Sequence, residues 1–295
     1  MGITQKQVEV SAIDGISNTI TIAEPQPSSS NIVILCLPAM GVPAEKYDAL
    51  ISSFATLGHI AASVDLRGVG LSSVRASRSI DFGYRHLVEV DLPAVLNRLG
   101  DLFPDKKIVL MGHSLGGQMA TLYLTQTLKN IHGLVLVASC SVYYRGWPMP
   151  RRWLLLFFTQ IAALIARVVG YFPGRKLGFG GLEARTVMSD WAYNARTGKY
   201  RLNGSNIDYQ ASQKHSLELA KFPVLNITFA DDKFAPSTAS EYLLSKLNSS
   251  NVSRRLINGE DLGLASADHF NWLKKPYLVS DTVNLWVKML TPAIK

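Results

Sequence analysis

The chain has 295 residues, with 30 Lys and Arg against 22 Asp and Glu for a formal charge of +8, and 47% hydrophobic residues. That hydrophobic content excludes wholesale disorder, and two cysteines exclude a disulfide-stapled miniprotein. The cations are scattered without a run of five, so no nucleic-acid partner is expected.

The N-terminus, MGITQKQVEV, lacks a basic region followed by an apolar core, and Lys6 stands where a myristoylation signal wants Ser or Thr. The expectation is a cytoplasmic protein with reduced thiols. In chain order, Asn18 to Glu24 alternates like an early antiparallel strand. Asn31 to Pro38 is a continuous apolar run, as in a strand covered on both faces. Tyr47 to Leu57 has a helical pattern, Ile60 to Leu66 is a second buried strand, and Glu89 to Leu99 is helical. Lys107 to Gly112 is a third strand, Leu115 to Leu128 a helix and Gly133 to Ser139 a fourth strand.

The rhythm breaks after Ser141. Residues 142–215 are rich in Trp, Tyr, Arg and Gly, with helical patterns and no clear strand. Strand spacing returns at Pro223 to Ala230, followed by a helix at Ser237 to Leu247, a last strand at Ser253 to Asn258 and a closing helix at Pro276 to Met289. Strand–helix alternation predicts an α/β fold with a doubly wound, mostly parallel sheet. Residues 1–141 and 216–295 would form its core, and 142–215 an inserted cap.

Within that block, Trp153 to Phe172 is almost wholly apolar. Trp153, Phe157, Ile161, Leu164, Ile165 and Val168 repeat at helical spacing, which favours a buried or interfacial helix over a transmembrane one. This stripe is expected to line the site from above. The rival reading is a peripheral membrane contact, because Arg145, Arg151, Arg152, Arg167, Arg175 and Lys176 flank the stretch.

The strongest chemical signal is Gly112, Ser114 and Gly116 in MGHSLGG, a G-x-S-x-G that closes one predicted strand and opens a helix. A sharp turn there lifts the Ser114 hydroxyl out of the sheet and demands small neighbours. A serine hydroxyl is a weak nucleophile and needs a base. Of six histidines, His113 sits beside Ser114 but points away from it, whereas His269 lies between the last strand and the last helix, where a loop can fold back over the strand ends. An acid must orient that base, and Asp231 or Asp232 follows the strand at 223–230.

Ser, Asp and His in that order resemble the α/β-hydrolase superfamily, and the resemblance implies its eight-stranded sheet. The superfamily's acid stands four residues before a proline, so Pro236 selects Asp232 and leaves Asp231 as the alternative. The resemblance also implies an oxyanion hole built from the backbone N–H groups of Leu115 and Met40. Here Pro38 and Ala39 replace the His-Gly that many members carry before the donor. DLRGVGLSS at Asp65 to Ser73 matches a structural turn of the superfamily, which keeps Asp65 and Arg67 out of the site. With PAMGV and GHSLGGQ it is similar to a group of mostly uncharacterised bacterial hydrolases, related to serine aminopeptidases and monoacylglycerol lipases. The superfamily's strand order puts Cys36 and Cys140 two strand spacings apart, so both are expected as free thiols.

The implied activity is a serine hydrolase of acyl esters with a small-molecule substrate and neither cofactor nor metal. The alternatives are a peptidase or amidase, an acyltransferase or thioesterase, and a non-catalytic binding protein of the same fold. A peptidase that anchors an ammonium group would want a carboxylate pair in the cap, where the acids are Glu183, Asp190 and Asp208.

Overall fold

A computed structural model describes residues 2–209 and 216–290. The chain opens with β1 (Gly2–Ser11), which pairs antiparallel with β2 (Ser17–Gln26) along its whole length. The sequence does not announce β1. Thr4 to Gln7 are polar and exposed on both faces, so this half of the strand is held by backbone pairing with β2, and only Val8 and Val10 at its end pack on the core.

The core strands then follow as β3 (Ile32–Leu37), β4 (Ile60–Val64), β5 (Lys107–His113) and β6 (Ile131–Val137). Between them lie α1 (Asp48–Thr56), α2 (Leu92–Leu102) and α3 (Leu115–Leu124). The helix expected at Glu89 to Leu99 is present and begins earlier, with a π-helical stretch at His86–Asp91 running directly into α2, whose first turn holds Pro93. Every residue of β3 and β4 is buried, as their unbroken apolar runs require when helices cover both faces.

After β6 come α4 (Arg151–Val169), the short hairpin β7 (Tyr171–Pro173) and β8 (Leu182–Ala184) with α5 (Gly174–Leu177) between its strands, and α6 (Arg185–Thr197). The hairpin corrects the expectation of a strandless block. The end of that block, residues 210–215, lies outside the described residues. The core resumes with α7 (Ser216–Leu219), β9 (Val224–Phe229), α8 (Ser237–Leu244), β10 (Val252–Ile257), α9 (Gly259–Leu262) and α10 (Tyr277–Leu290).

The central sheet has eight strands in the order β1-β2-β4-β3-β5-β6-β9-β10. It is parallel from β4 to β10, with β5 between β3 and β6. The carboxyl ends of β5 and β9 and the loop after β10 therefore open on the same edge, where ligands bind in open α/β sheets. Arg67 braces the amino-terminal strands from a buried position. It donates to Asp91 at 2.6 Å and to Asp14 at 2.7 Å, while both oxygens of Asp65 accept backbone N–H groups, from Ala44 and Leu71. Cys36 and Cys140 are free and buried, and burial pushes both thiols up.

α4 faces the other way from its expected orientation. Thr159, Ala162 and Ala166 are the buried residues of α4, and small side chains let it lie close against α6. Trp153, Phe157, Ile161, Leu164 and Val168, expected to line the site, point outward, with Phe157 67% and Val168 73% exposed.

Candidate active site

Ser114 sits between β5 and α3 with φ 53° and ψ −115°, a left-handed conformation a serine adopts only under constraint. The constraint is close packing at the turn. A Cβ on Gly116 would lie 2.2 Å from the Leu37 carbonyl oxygen, and one on Gly112 would lie 2.3 Å from Gly117 N. The Ser114 N–H donates to Val137 O at 3.1 Å, tying the elbow to β6.

His269 Nε2 lies 2.9 Å from Ser114 Oγ, and His269 Nδ1 lies 2.8 Å from Asp232 Oδ2. The acceptor Asp232 places the ring proton on Nδ1, which leaves Nε2 free to accept the serine proton. The other oxygen, Asp232 Oδ1, accepts the Phe234 and Ala235 N–H groups at 2.7 and 2.9 Å, so three donors hold this carboxylate. Asp231 does something else: its Oδ2 accepts the Ala267 N–H at 2.9 Å, and its own N–H donates to Ala267 O, which latches the loop carrying His269.

The sequence reading missed the part played by Tyr47 and His113. The His113 Nε2 faces the His269 carbonyl oxygen at 2.9 Å, an atom that only accepts, so this nitrogen carries the proton. His113 Nδ1 then accepts from Tyr47 Oη at 2.7 Å, and Tyr47 Oη accepts the Ala39 N–H at 2.9 Å. The Trp272 indole N–H also donates to the His269 carbonyl, at 3.1 Å. Burial, reinforced by the adjacent His269, holds His113 well below the ordinary imidazole range and keeps it neutral. A single chain of hydrogen bonds thus joins the loop at Ala39 and Met40 to the backbone of His269. Its members are 66 and 156 positions apart in sequence, and no local pattern marks Tyr47.

This chain carries a testable expectation. Tyr47→Phe leaves the Ala39 N–H and His113 Nδ1 without their partner. It should cost about 1–3 kcal/mol in a denaturant melt. On any substrate that this site turns over, kcat should fall about tenfold or more with KM little changed, because the loop geometry loosens without loss of binding surface. An unchanged kcat would show that the chain is only structural.

Leu115 is the first residue of α3, so its N–H has no partner within the helix. Met40, half-buried, stands in the turn that Val42 closes by donating to Ala39 O. At Gly41, φ is 70° and a Cβ would lie 2.2 Å from Gly181 N, so this turn abuts the segment between β6 and β9. From that segment Phe158 meets Phe179 at 5.1 Å, and Phe179 reaches Phe234 at 6.5 Å. Phe234 and Phe270 flank the His269 ring at 5.5 and 4.7 Å. Aromatic rings therefore flank the histidine, from residues the sequence reading did not single out.

A model of the α/β hydrolase fold matches residues 32–270, a span that contains Ser114, Asp232 and His269. The chain belongs to the α/β-hydrolase fold family. Solved structures share that fold at low identity. An esterase from Exiguobacterium antarcticum has a TM-score of 0.62 at 15% identity, over 95% of this chain and 99% of that one. A soluble variant of monoglyceride lipase from Saccharomyces cerevisiae, in complex with a substrate analogue, gives 0.67 at 16%, over 98% and 97%. Mouse α/β hydrolase domain-containing protein 10 gives 0.63 at 14%, over 97% and 100%. Among curated protein sequences none matches.

In the α/β hydrolase, Glu183 and Asp190, which lie between β6 and β9, are engaged elsewhere. Glu183 is buried and accepts the Gly181 N–H at 2.7 Å, and burial raises its carboxyl. Asp190 accepts the Tyr84 N–H and the Asn203 side chain, and burial pushes it up to about 7. Asp208 is exposed. A cavity of about 350 Å³ between Leu96, Lys106, Ile108 and His132 opens at the amino ends of β5 and β6, away from Ser114.

Proposed function

We propose that this chain is a serine hydrolase that cleaves carboxylic esters of apolar acyl groups through an acyl-enzyme. The observation that carries the reading is the continuous relay from Ser114 Oγ through His269 to Asp232, at 2.9 and 2.8 Å. Ser114 Oγ attacks the acyl carbonyl carbon while His269 Nε2 takes its proton. The negative charge that develops on the carbonyl oxygen is met by the Leu115 and Met40 N–H groups. The tetrahedral adduct collapses, the C–O bond to the alcohol breaks, and His269 returns the proton to the leaving oxygen. Water then repeats the sequence on the acyl-serine, which releases the acid and restores the serine. Asp232 holds the imidazole in the required tautomer and stabilises the imidazolium.

The aromatic surround of His269 supports an acyl group over a charged peptide end, since an ammonium buried there has no partner. Glu183 bonds to Gly181 in its own segment and Asp190 to Tyr84 and Asn203, so the two offer no paired site for such a group. A panel of p-nitrophenyl esters set against aminoacyl anilides tests the reading, with a fluorophosphonate probe as the covalent control. Hydrolysis should favour the esters, and kcat/KM should rise several-fold per added methylene until the apolar surface is filled. Probe labelling with anilides preferred would turn the reading to an amidase. No labelling and no turnover would make the chain a binding protein.

A further inference from the structure

The outward face of α4 has no covering element among the described residues. Trp153, Leu154, Phe157, Leu164 and Val168 are all more than half exposed on it, with Met149 before the helix and Leu177 after it. Nineteen residues make this face ~28 Å long. A contiguous apolar face of that length on a soluble fold marks an interaction surface. The inward face packs on α6 through small residues, so the helix lies along the protein and does not span a bilayer.

The charges around the face select its occupant. From residue 142 to residue 182 the chain holds Arg145, Arg151, Arg152, Arg167, Arg175 and Lys176 and no acid. Arg151 and Arg167 are exposed on the two flanks of the apolar stripe, and Arg175 and Lys176 are exposed just beyond its carboxyl end. At the amino end Trp153 packs against Tyr144 at 5.4 Å, with Arg145 over the Tyr144 ring. Aromatic rings with an apolar body and a polar edge, flanked by cations, suit the boundary between acyl chains and head groups. A second copy suits it poorly. Two-fold apposition of this face would set the same cations against each other with no acid in the segment to pair with them.

We propose that α4 docks this protein, in the plane of the surface, on an anionic lipid bilayer, with its apolar stripe among the acyl chains and its arginines on the head groups. The proposal rests on exposure and charge and does not depend on the reaction assigned above. The inner side of the same helix carries Phe158, which begins the aromatic path through Phe179 and Phe234 to His269. Docking would therefore bring the mouth of the site close to the lipid.

Vesicle sedimentation tests it, using the full chain with phosphatidylglycerol–phosphatidylcholine vesicles and with pure phosphatidylcholine. The wild type should bind the anionic vesicles at least tenfold more tightly, and salt of about 0.5 M should remove that advantage. Phe157→Glu with Leu164→Glu should abolish binding. Arg151→Glu with Arg167→Glu should weaken it more than tenfold, each cation contributing about fivefold. Both variants should melt like the wild type and hydrolyse a soluble ester within twofold of it without vesicles, because none of these side chains touches the site. Three results would overturn the proposal: no binding to anionic vesicles, binding undiminished by the Phe157 and Leu164 changes, or a dimer in solution that those changes dissociate, which would make the occupant a second copy.

Discussion

Ser114→Ala is expected to lower kcat by about 10⁴-fold or more on any ester the chain hydrolyses, and His269→Ala by a similar amount. The reason is the geometry of the relay. In the proposed reaction Ser114 Oγ is both the attacking atom and the donor to His269 Nε2, which lies 2.9 Å away, and neither group has another partner for that task. Removing the oxygen leaves water as the nucleophile, with no base aligned on it. Removing the imidazole leaves a serine hydroxyl that must lose its proton to solvent. Because the two act as one unit, the double variant should be no slower than either single one. A residual rate above uncatalysed hydrolysis should persist in all three, since the Leu115 and Met40 N–H groups depend on backbone alone. Stopped assays with purified variants, checked by melting curves, measure this. Retention of a tenth of wild-type kcat in Ser114→Ala would remove the serine from the reaction.

The parallel strands and the relay were legible in the sequence for the same physical reason. Strands buried on both faces, such as β3 and β4, must be continuously apolar, so they stand out and show where their carboxyl ends fall. Chemical groups just past those ends, Ser114, Asp232 and His269, can then be expected on one edge of the sheet before any distance is known. What was not legible depended on pairings that local composition does not encode. Thr4 to Gln7 of β1 are polar on both faces and are held by backbone hydrogen bonds to β2. Tyr47, in the turn that leads into α1, meets His113 only because that turn and the elbow converge.

α4 illustrates a different limit. Its helical period was plain, but periodicity alone does not say which face a helix turns inward. Thr159, Ala162 and Ala166 allow close approach to α6, so the helix buries its small residues and leaves the large ones outside. The expectation that its large apolar side chains line the site failed on that point, and Phe158, Phe179, Phe234 and Phe270 supply the apolar surroundings instead.

Asp232→Asn should cost about 10⁴-fold in kcat, and Asp231→Asn no more than a few-fold. The two acids are neighbours in sequence, and their hydrogen bonds separate them. Asp232 Oδ1 accepts two backbone N–H groups, from Phe234 and Ala235. An asparagine there keeps its amide oxygen on those donors and so must turn its NH₂ toward His269. The imidazole then has to accept at Nδ1, its proton moves to Nε2, and the nitrogen facing Ser114 becomes a donor that cannot take the serine proton. The fold would be nearly unchanged and the reaction blocked by the wrong tautomer. Asp231 Oδ2 accepts only the Ala267 N–H, which an asparagine oxygen accepts as well, and the backbone bond back to Ala267 O is untouched. The latch on the histidine loop therefore survives that change. Kinetics on both variants, with one-dimensional proton spectra of the imidazole N–H to report the tautomer, separate the two roles. The opposite ranking, with Asp231→Asn the slower enzyme, would move the orienting acid to Asp231 and make the Asp232 contact at 2.8 Å a structural one.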